Sequence, residues 1–345
     1  MNIFIGHKSA LEFWRLYDLD SCRPSKALPQ PNQNTSPLPT NQVKAEELKL
    51  SMPLHLEVAD YRSKRKSSLF VPHCTKRDLP QSSFLKFNEA VFVACPELTF
   101  REAANDLNLI QLIRLGYELC GFYSLGPCAT SSKPTVLPRK PRTTPEMIRS
   151  YLQSCPNGPN KRKAIKAAGL VLPSAASPME TNLSMLLSLP TSLGGFGLPA
   201  PKLNYPIRVL DNRISLGNGA SSNNRTSSSN GPSSPTASSA SASSKILSEK
   251  TLRCDLCWPD ERFALEYDSD QFHSGRKKLN KDSRRRALLE SAGIHVVSVT
   301  KKQILGIVPL REIANITAKQ LGVRLRIRRK DFDERHLLLR RELRR

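Results

Sequence analysis

Two short runs rich in strand formers, residues 252–258 and 262–267, flank a Pro259-Asp260 break and predict a hairpin. A polar helix follows. Its apolar positions are Ala287, Leu288, Leu289 and Ala292, and Gly293 is its natural C-terminal cap. Residues 294–299 read as a buried strand. Strand, turn, strand, helix, strand is an α/β order, and the rest of the chain is read around it.

Upstream, 1–7 reads as a strand and 9–16 as a helix, with Ser9 and Glu12 as a capping box. Residues 54–58 and 68–72 look like paired strands separated by a basic turn at 62–66, and 90–94 is another strand. Ala103, Leu107, Ile110 and Ile113 give 100–115 one apolar face and predict a single helix, capped by Thr99 and Glu102. Residues 145–153 and 162–168 predict short helices. Ser177, Pro178 and Glu180 open another, running to 189 with Leu183, Leu186 and Leu187 on its core face. Residues 205–210 read as the first strand of the C-terminal sheet. Beyond 300, helices are expected at 301–305 and 310–321, a last strand at 323–327, and a charged helix at 331–345. His7, His55 and His73 stand isolated along the chain and read as packing or surface residues rather than ligands.

The hairpin carries the candidate chemistry. Side chains alternate faces along a strand, so Glu266 and Asp268 share one, and antiparallel pairing brings Asp255 to the same side. Three carboxylates in otherwise apolar strands are costly to bury without a positive partner. A hard divalent cation with oxygen ligands is the simplest one. His273 follows, and Lys277, Lys278, Lys281, Arg284, Arg285 and Arg286 crowd the next helix. Acids that hold a metal, beside a helix that meets phosphates, suit a phosphodiester substrate.

This pattern resembles the PD-(D/E)XK nuclease superfamily, and within it the bacterial domains similar to the very-short-patch-repair (Vsr) endonuclease. The residues that carry the resemblance are Asp255, Glu266-Tyr267-Asp268, His273, Asp282 with Arg285, and Gly293 with Val296. It runs from Glu180 to Val323. Asp268 stands where the wider superfamily keeps a lysine, and Ser269 where a glycine usually follows. The resemblance implies a restriction-endonuclease-like mixed α/β sheet flanked by helices. It also implies Mg²⁺ or Mn²⁺ held by Asp255, Glu266 and Asp268, with His273 as general base or phosphate ligand. In that family a Glu at the position of Glu180 approaches the acids. The N-terminal half weakly resembles proteins related to the abortive-infection type IV antitoxin (AbiEi-like), through residues 10–15 and 95–99. That points to phage defence or a toxin–antitoxin setting. Two other readings of the same residues stay open: a non-catalytic DNA-binding regulator, and a structural salt-bridge network.

Composition sharpens this picture. Net charge is +23, and residues 276–345 hold 21 Lys and Arg against 7 Asp and Glu, which is 14 of those charges. Such asymmetry favours an anionic partner, in the first place DNA. Residues 217–244, rich in Ser, Asn, Ala and Gly, cannot build a core and read as an insertion at a hairpin tip. The expected domains are a small α/β regulatory-type domain over 1–125, a linker with short helices over 126–170, the nuclease-like domain over 171–325, and a basic tail over 326–345. No apolar run approaches the roughly 20 residues of a membrane span. The 8 cysteines show no disulfide framework, so a reducing cytoplasm is expected. Cys254 and Cys257 form C-x-x-C on a strand, where positions three apart face opposite ways, and no second pair lies at a zinc spacing.

Overall fold

A computed structural model describes residues 2–23, 48–58, 68–74, 79–126, 135–214, 245–268 and 276–344. The Ser- and Asn-rich tract at 217–244 lies outside the described residues, as do His273, Ser269 and the basic turn at 62–66. The architecture is mixed α/β, with mixed sheets and helices.

The N-terminal elements are β1 (Ile3–Ile5), α1 (His7–Leu16), β2 (Leu54–Val58), β3 (Phe70–Cys74), β4 (Phe84–Lys86) and β5 (Val91–Ala94), in a five-stranded sheet of order β3-β2-β1-β5-β4. β1 and β5 are wholly apolar, and the sheet seats them at its centre as a parallel pair. β2 and β3 also pair parallel, with Glu57 opposite His73. The sequence paired them without a direction, and parallel neighbours cannot be joined by a tight hairpin. Phe4, Ile5, Phe13, Trp14 and Val93 centre the first core, and Trp14 Nε1 donates to the Ala94 carbonyl at 2.8 Å.

The expected single helix over 100–115 is two, α2 (Pro96–Ala103) and α3 (Leu109–Leu119). Asn108 breaks the run, because its side chain caps Gln111 N while Gln111 reaches back to close a capping box. Arg15 grips Glu118 through two bonds of 2.8 Å, tying α1 to α3. Next come β6 (Tyr123–Leu125), β7 (Val136–Pro138), α4 (Pro145–Ser154), α5 (Lys161–Ala168) and α6 (Pro178–Ser188). As expected, Ser177 caps α6 by accepting from Glu180 N at 3.2 Å.

The C-terminal strands are β8 (Lys202–Ile214), β9 (Lys245–Trp258) and β10 (Phe263–Asp268), then α7 (Arg276–Ser291) and β11 (His295–Thr300), in a sheet of order β11-β10-β9-β8. α7 stops as the sequence expects: Gly293 has φ +79°, Gly293 N donates to the Glu290 carbonyl and Ile294 N to that of Leu289. Then follow α8 (Lys301–Leu305), whose bounds match the expectation, α9 (Ile307–Gln320) and α10 (Phe332–Arg344).

Residues 323–327 carry no strand. Leu325 and Ile327 pack on the core while Arg324 and Arg326 are exposed, so the alternation is real, but among the described residues no neighbouring strand pairs with it.

The chain divides into two compact units. One comprises Met1–Tyr205, Cys254–Asp270 and Val297–Arg345, the other Pro206–Arg253 and Gln271–Val296. Within the first, a second core joins Ile113, Leu152, Ala164 and Leu186 to Leu256, Phe263 and Leu265 and to Leu310, Phe332, Leu339 and Leu343. The segment read from sequence as a linker thus contributes core residues through α4 and α5. The basic end is likewise a packed helix. Among the described residues, no helix is long and apolar enough to cross a membrane.

Candidate functional site

β9 and β10 pair antiparallel with Leu256 opposite Leu265, Cys257 opposite Ala264 and Trp258 opposite Phe263. Leu256, Trp258, Phe263 and Leu265 enter the second core. Strand parity sends Cys257 and Ala264 to the other face. The same register, continued one step, sets Glu266 opposite Asp255, and Asp268 follows Glu266 on that face. Asp255 and Glu266 are half-buried and Asp268 is exposed. Asp255 Oδ2 accepts from Tyr267 N at 2.8 Å, which ties the carboxylate to the facing strand. Glu266 Oε1 is cut off from solvent.

Glu180 completes this group from the first turn of α6. It is 6% exposed, and its Oε2 accepts from Ala176 N at 2.8 Å. Burial first, and then the charge of Asp255, push its carboxyl up to about 7. Glu180 is therefore both a capping-turn residue and an electrostatic neighbour of Asp255. The Cys257 thiol is held below its ordinary range by a hydrogen bond with Cys254, with burial opposing and Lys202 assisting.

The basic residues belong to α7. Arg284 and Arg286 are exposed, whereas half-buried Arg285 donates to the Arg253 carbonyl. Lys277, Lys278 and Lys281 lie on the same helix, where their side chains fall outside the described residues. His273 precedes it, also outside them.

A second assembly lies in the N-terminal half, where the sequence reading saw none. The alternation of β2 sends Leu54, Leu56 and Val58 one way and His55 and Glu57 the other. Gly6 N donates to the His55 carbonyl at 3.0 Å and His55 N to Ser9 Oγ at 2.9 Å, which fastens β2 to the start of α1. His7, the first residue of α1, thereby meets Glu57, with Nε2 and Oε1 2.9 Å apart. Glu102, near the end of α2, accepts from His7 N at 2.6 Å. The His73 ring stacks on His7 with centroids 3.6 Å apart, and His55 Nδ1 lies 2.8 Å from His73 Nε2.

The three histidines are thus one row against two buried carboxylates, not isolated packing residues. Burial drives Glu102 up to about 8, with His7 opposing. Burial alone would lower His7, but the charges of Glu102 and Glu57 outweigh it and raise its pKa. Burial and then His7 push His73 down to about 4. The signal available in the sequence was the H-x-E alternation of β2.

Among the described residues, His7, Glu57 and Glu102 are the one group of three or more His, Cys, Asp or Glu whose ligand atoms all lie within 4.8 Å of one another. The acids of the C-terminal sheet do not close to that spacing. No protein-family model, curated protein or solved structure matches the chain.

Proposed function

We propose that the chain is a DNA-binding protein whose C-terminal sheet hydrolyses phosphodiesters with a divalent metal, in the manner of the Vsr-like domains it resembles. The observation that carries this reading is the Glu180–Asp255 pair. Two neighbouring carboxylates, one of them buried, disfavour each other's charge. A cation among them would relieve that conflict, and an all-oxygen donor set suits Mg²⁺ or Mn²⁺. Asp255 and Glu266 would hold it, with Asp268 at the exposed edge. Bound there, such an ion acidifies a water and polarises a phosphoryl oxygen. Beside such an ion Glu180 would be held as a carboxylate, able to take a proton from the bound water. His273 is the proposed base or phosphate ligand. Arg284 and Arg286 supply exposed positive charge for the phosphate backbone. A cytoplasmic setting in phage defence, with a partner protein, belongs to the same proposal.

One observation favours a second reading, in which the domain only recognises DNA: the sheet acids lack the closure of a preformed metal site. The deciding assay incubates the full chain with plasmid, linear and single-stranded DNA, with Mg²⁺, with Mn²⁺ and with chelator. Metal-dependent cleavage that is lost in Asp255→Asn supports the nuclease. Salt-sensitive binding without cleavage on any substrate moves the reading to the regulator.

Binding itself should weaken steeply with salt. Changing Arg284 and Arg286 together to Ala should flatten the slope of log K against log salt by about 1.8 if each neutralises one phosphate. An unchanged slope would remove α7 from the interface. Arg285 is left intact in this test because it also holds the Arg253 carbonyl.

A further inference from the structure

In the His7–Glu57–Glu102 cluster Glu57 has no solvent-exposed side-chain surface and Glu102 only 5%, and the His7 imidazole lies against both. One Glu102 oxygen accepts from His7 N. The other, Oε1, is buried with no hydrogen-bond partner and points to the same imidazole, 4.0 Å from Nε2. A buried carboxylate oxygen left in that state calls for a partner. Gly6 lets the backbone close onto both carboxyl groups: a Cβ there would come to 3.2 Å from Glu57 Cγ, 3.3 Å from Glu57 Oε1 and 3.4 Å from Glu102 Oε2.

We propose that His7 Nε2, one Glu57 oxygen and Glu102 Oε1 form a binding site for a single divalent transition ion of the Zn²⁺ class. Ligand atoms already within 4.8 Å of one another need only small rotations to reach an ion at the usual bond lengths of about 2.0–2.2 Å. Two carboxylates with a neutral imidazole match a 2+ charge. The imidazole selects against Mg²⁺, which prefers an all-oxygen octahedron and retains its waters, and towards Zn²⁺ or its neighbours. Three protein ligands leave a fourth position for water or an incoming anion. His73 and His55 act as positioning residues: the stacked His73 ring fixes the plane of His7, and the His55–His73 bond fixes His73. Nothing here depends on the acidic sheet face, and the two sites stand or fall separately.

The test loads the metal-free, tag-free full chain with Zn²⁺ alone. In Asp255→Asn, which disables the sheet site, calorimetry and elemental analysis should give one ion per chain, with a raised melting temperature. Glu102→Gln and His7→Gln should each weaken binding on the order of 100-fold, and His73→Gln about 10-fold. X-ray absorption of the unmodified Zn²⁺-loaded protein reads the ligand shell without any substitution, so a variant that fails to fold leaves the question answerable. Nitrogen and oxygen donors with one imidazole are expected there. No binding, binding unchanged in the Glu102 and His7 variants, binding lost in Asp255→Asn, or sulfur donors in the absorption spectrum would each overturn the proposal.

Discussion

A chain ended at Lys330 will not melt cooperatively as the full protein does. The missing helix, α10, places Phe332, Leu339 and Leu343 in the second core at 2%, 1% and 4% exposure. Burying a large apolar side chain is worth about 1.5–3 kcal/mol, so their loss removes on the order of 5–9 kcal/mol. That is comparable to the whole stability of a typical domain, about 5–15 kcal/mol. The helix is also bonded in place: Asn182 Nδ2 donates to the Leu343 carbonyl at 3.3 Å, and the buried His336 meets the Gly194 carbonyl at 2.7 Å. Adjacent leucines give an internal control. Leu339→Ala should cost about 3 kcal/mol in urea unfolding, from lost contacts and the cavity left behind. Leu338, 44% exposed, should change stability by no more than about 0.5 kcal/mol when replaced by Ala. Equal effects at the two positions would contradict the packing of α10.

Glu180→Gln should stabilise the protein at neutral and alkaline pH. Its carboxyl is pushed up to about 7 by burial and by Asp255. The unfolded chain releases the same proton near 4.3. Between these values the folded state holds more protons than the unfolded one. The contribution from Glu180 is therefore fully present below about 4.3 and is lost as pH rises through 7. A difference of about 2.7 in pKa corresponds to roughly 4 kcal/mol at most. Glutamine keeps an oxygen for Ala176 N and removes the charge. The difference between variant and unmodified stability should be near zero at pH 4 and grow to on the order of 2 kcal/mol by pH 8. Parallel pH curves would show that Glu180 titrates normally. Mg²⁺ should shrink the difference if a cation sits among these acids, because the ion then stabilises the carboxylates the variant lacks.

What the sequence made legible follows one rule. Many features set within a few residues were readable, though not the caps expected at Ser9 and Thr99, which lie inside helices begun at His7 and Pro96; features set by partners far along the chain were not. Ser177 over Glu180, the Gly293 stop and the bounds of α8 are local chemistry, and each appears as expected. The hairpin of β9 and β10 was also readable, since a short break permits only antiparallel return. The break between α2 and α3 was written in Asn108, but the apolar spacing continued through it and outweighed the cap. The alternation at 323–327 was read correctly and mistaken for a strand, because a period of two says nothing about whether a partner strand exists. The His7 cluster was the largest omission. Its members come from β2, β3, α2 and the start of α1, separated by 50 positions between His7 and Glu57 and 95 between His7 and Glu102. Only the parallel pairing of β2 with β3 and the seating of α1 bring them together.

The division into two cores also sets an order of events as the chain is made. Among the described residues the first core holds none beyond Cys155, so it can close while the rest is still being synthesised. The second joins Phe100 to Leu343 and stays open until α10 has emerged. The core faces of α3 to α6 stay uncovered until then. Apolar surface left uncovered during such an interval is what makes nascent chains prone to aggregate.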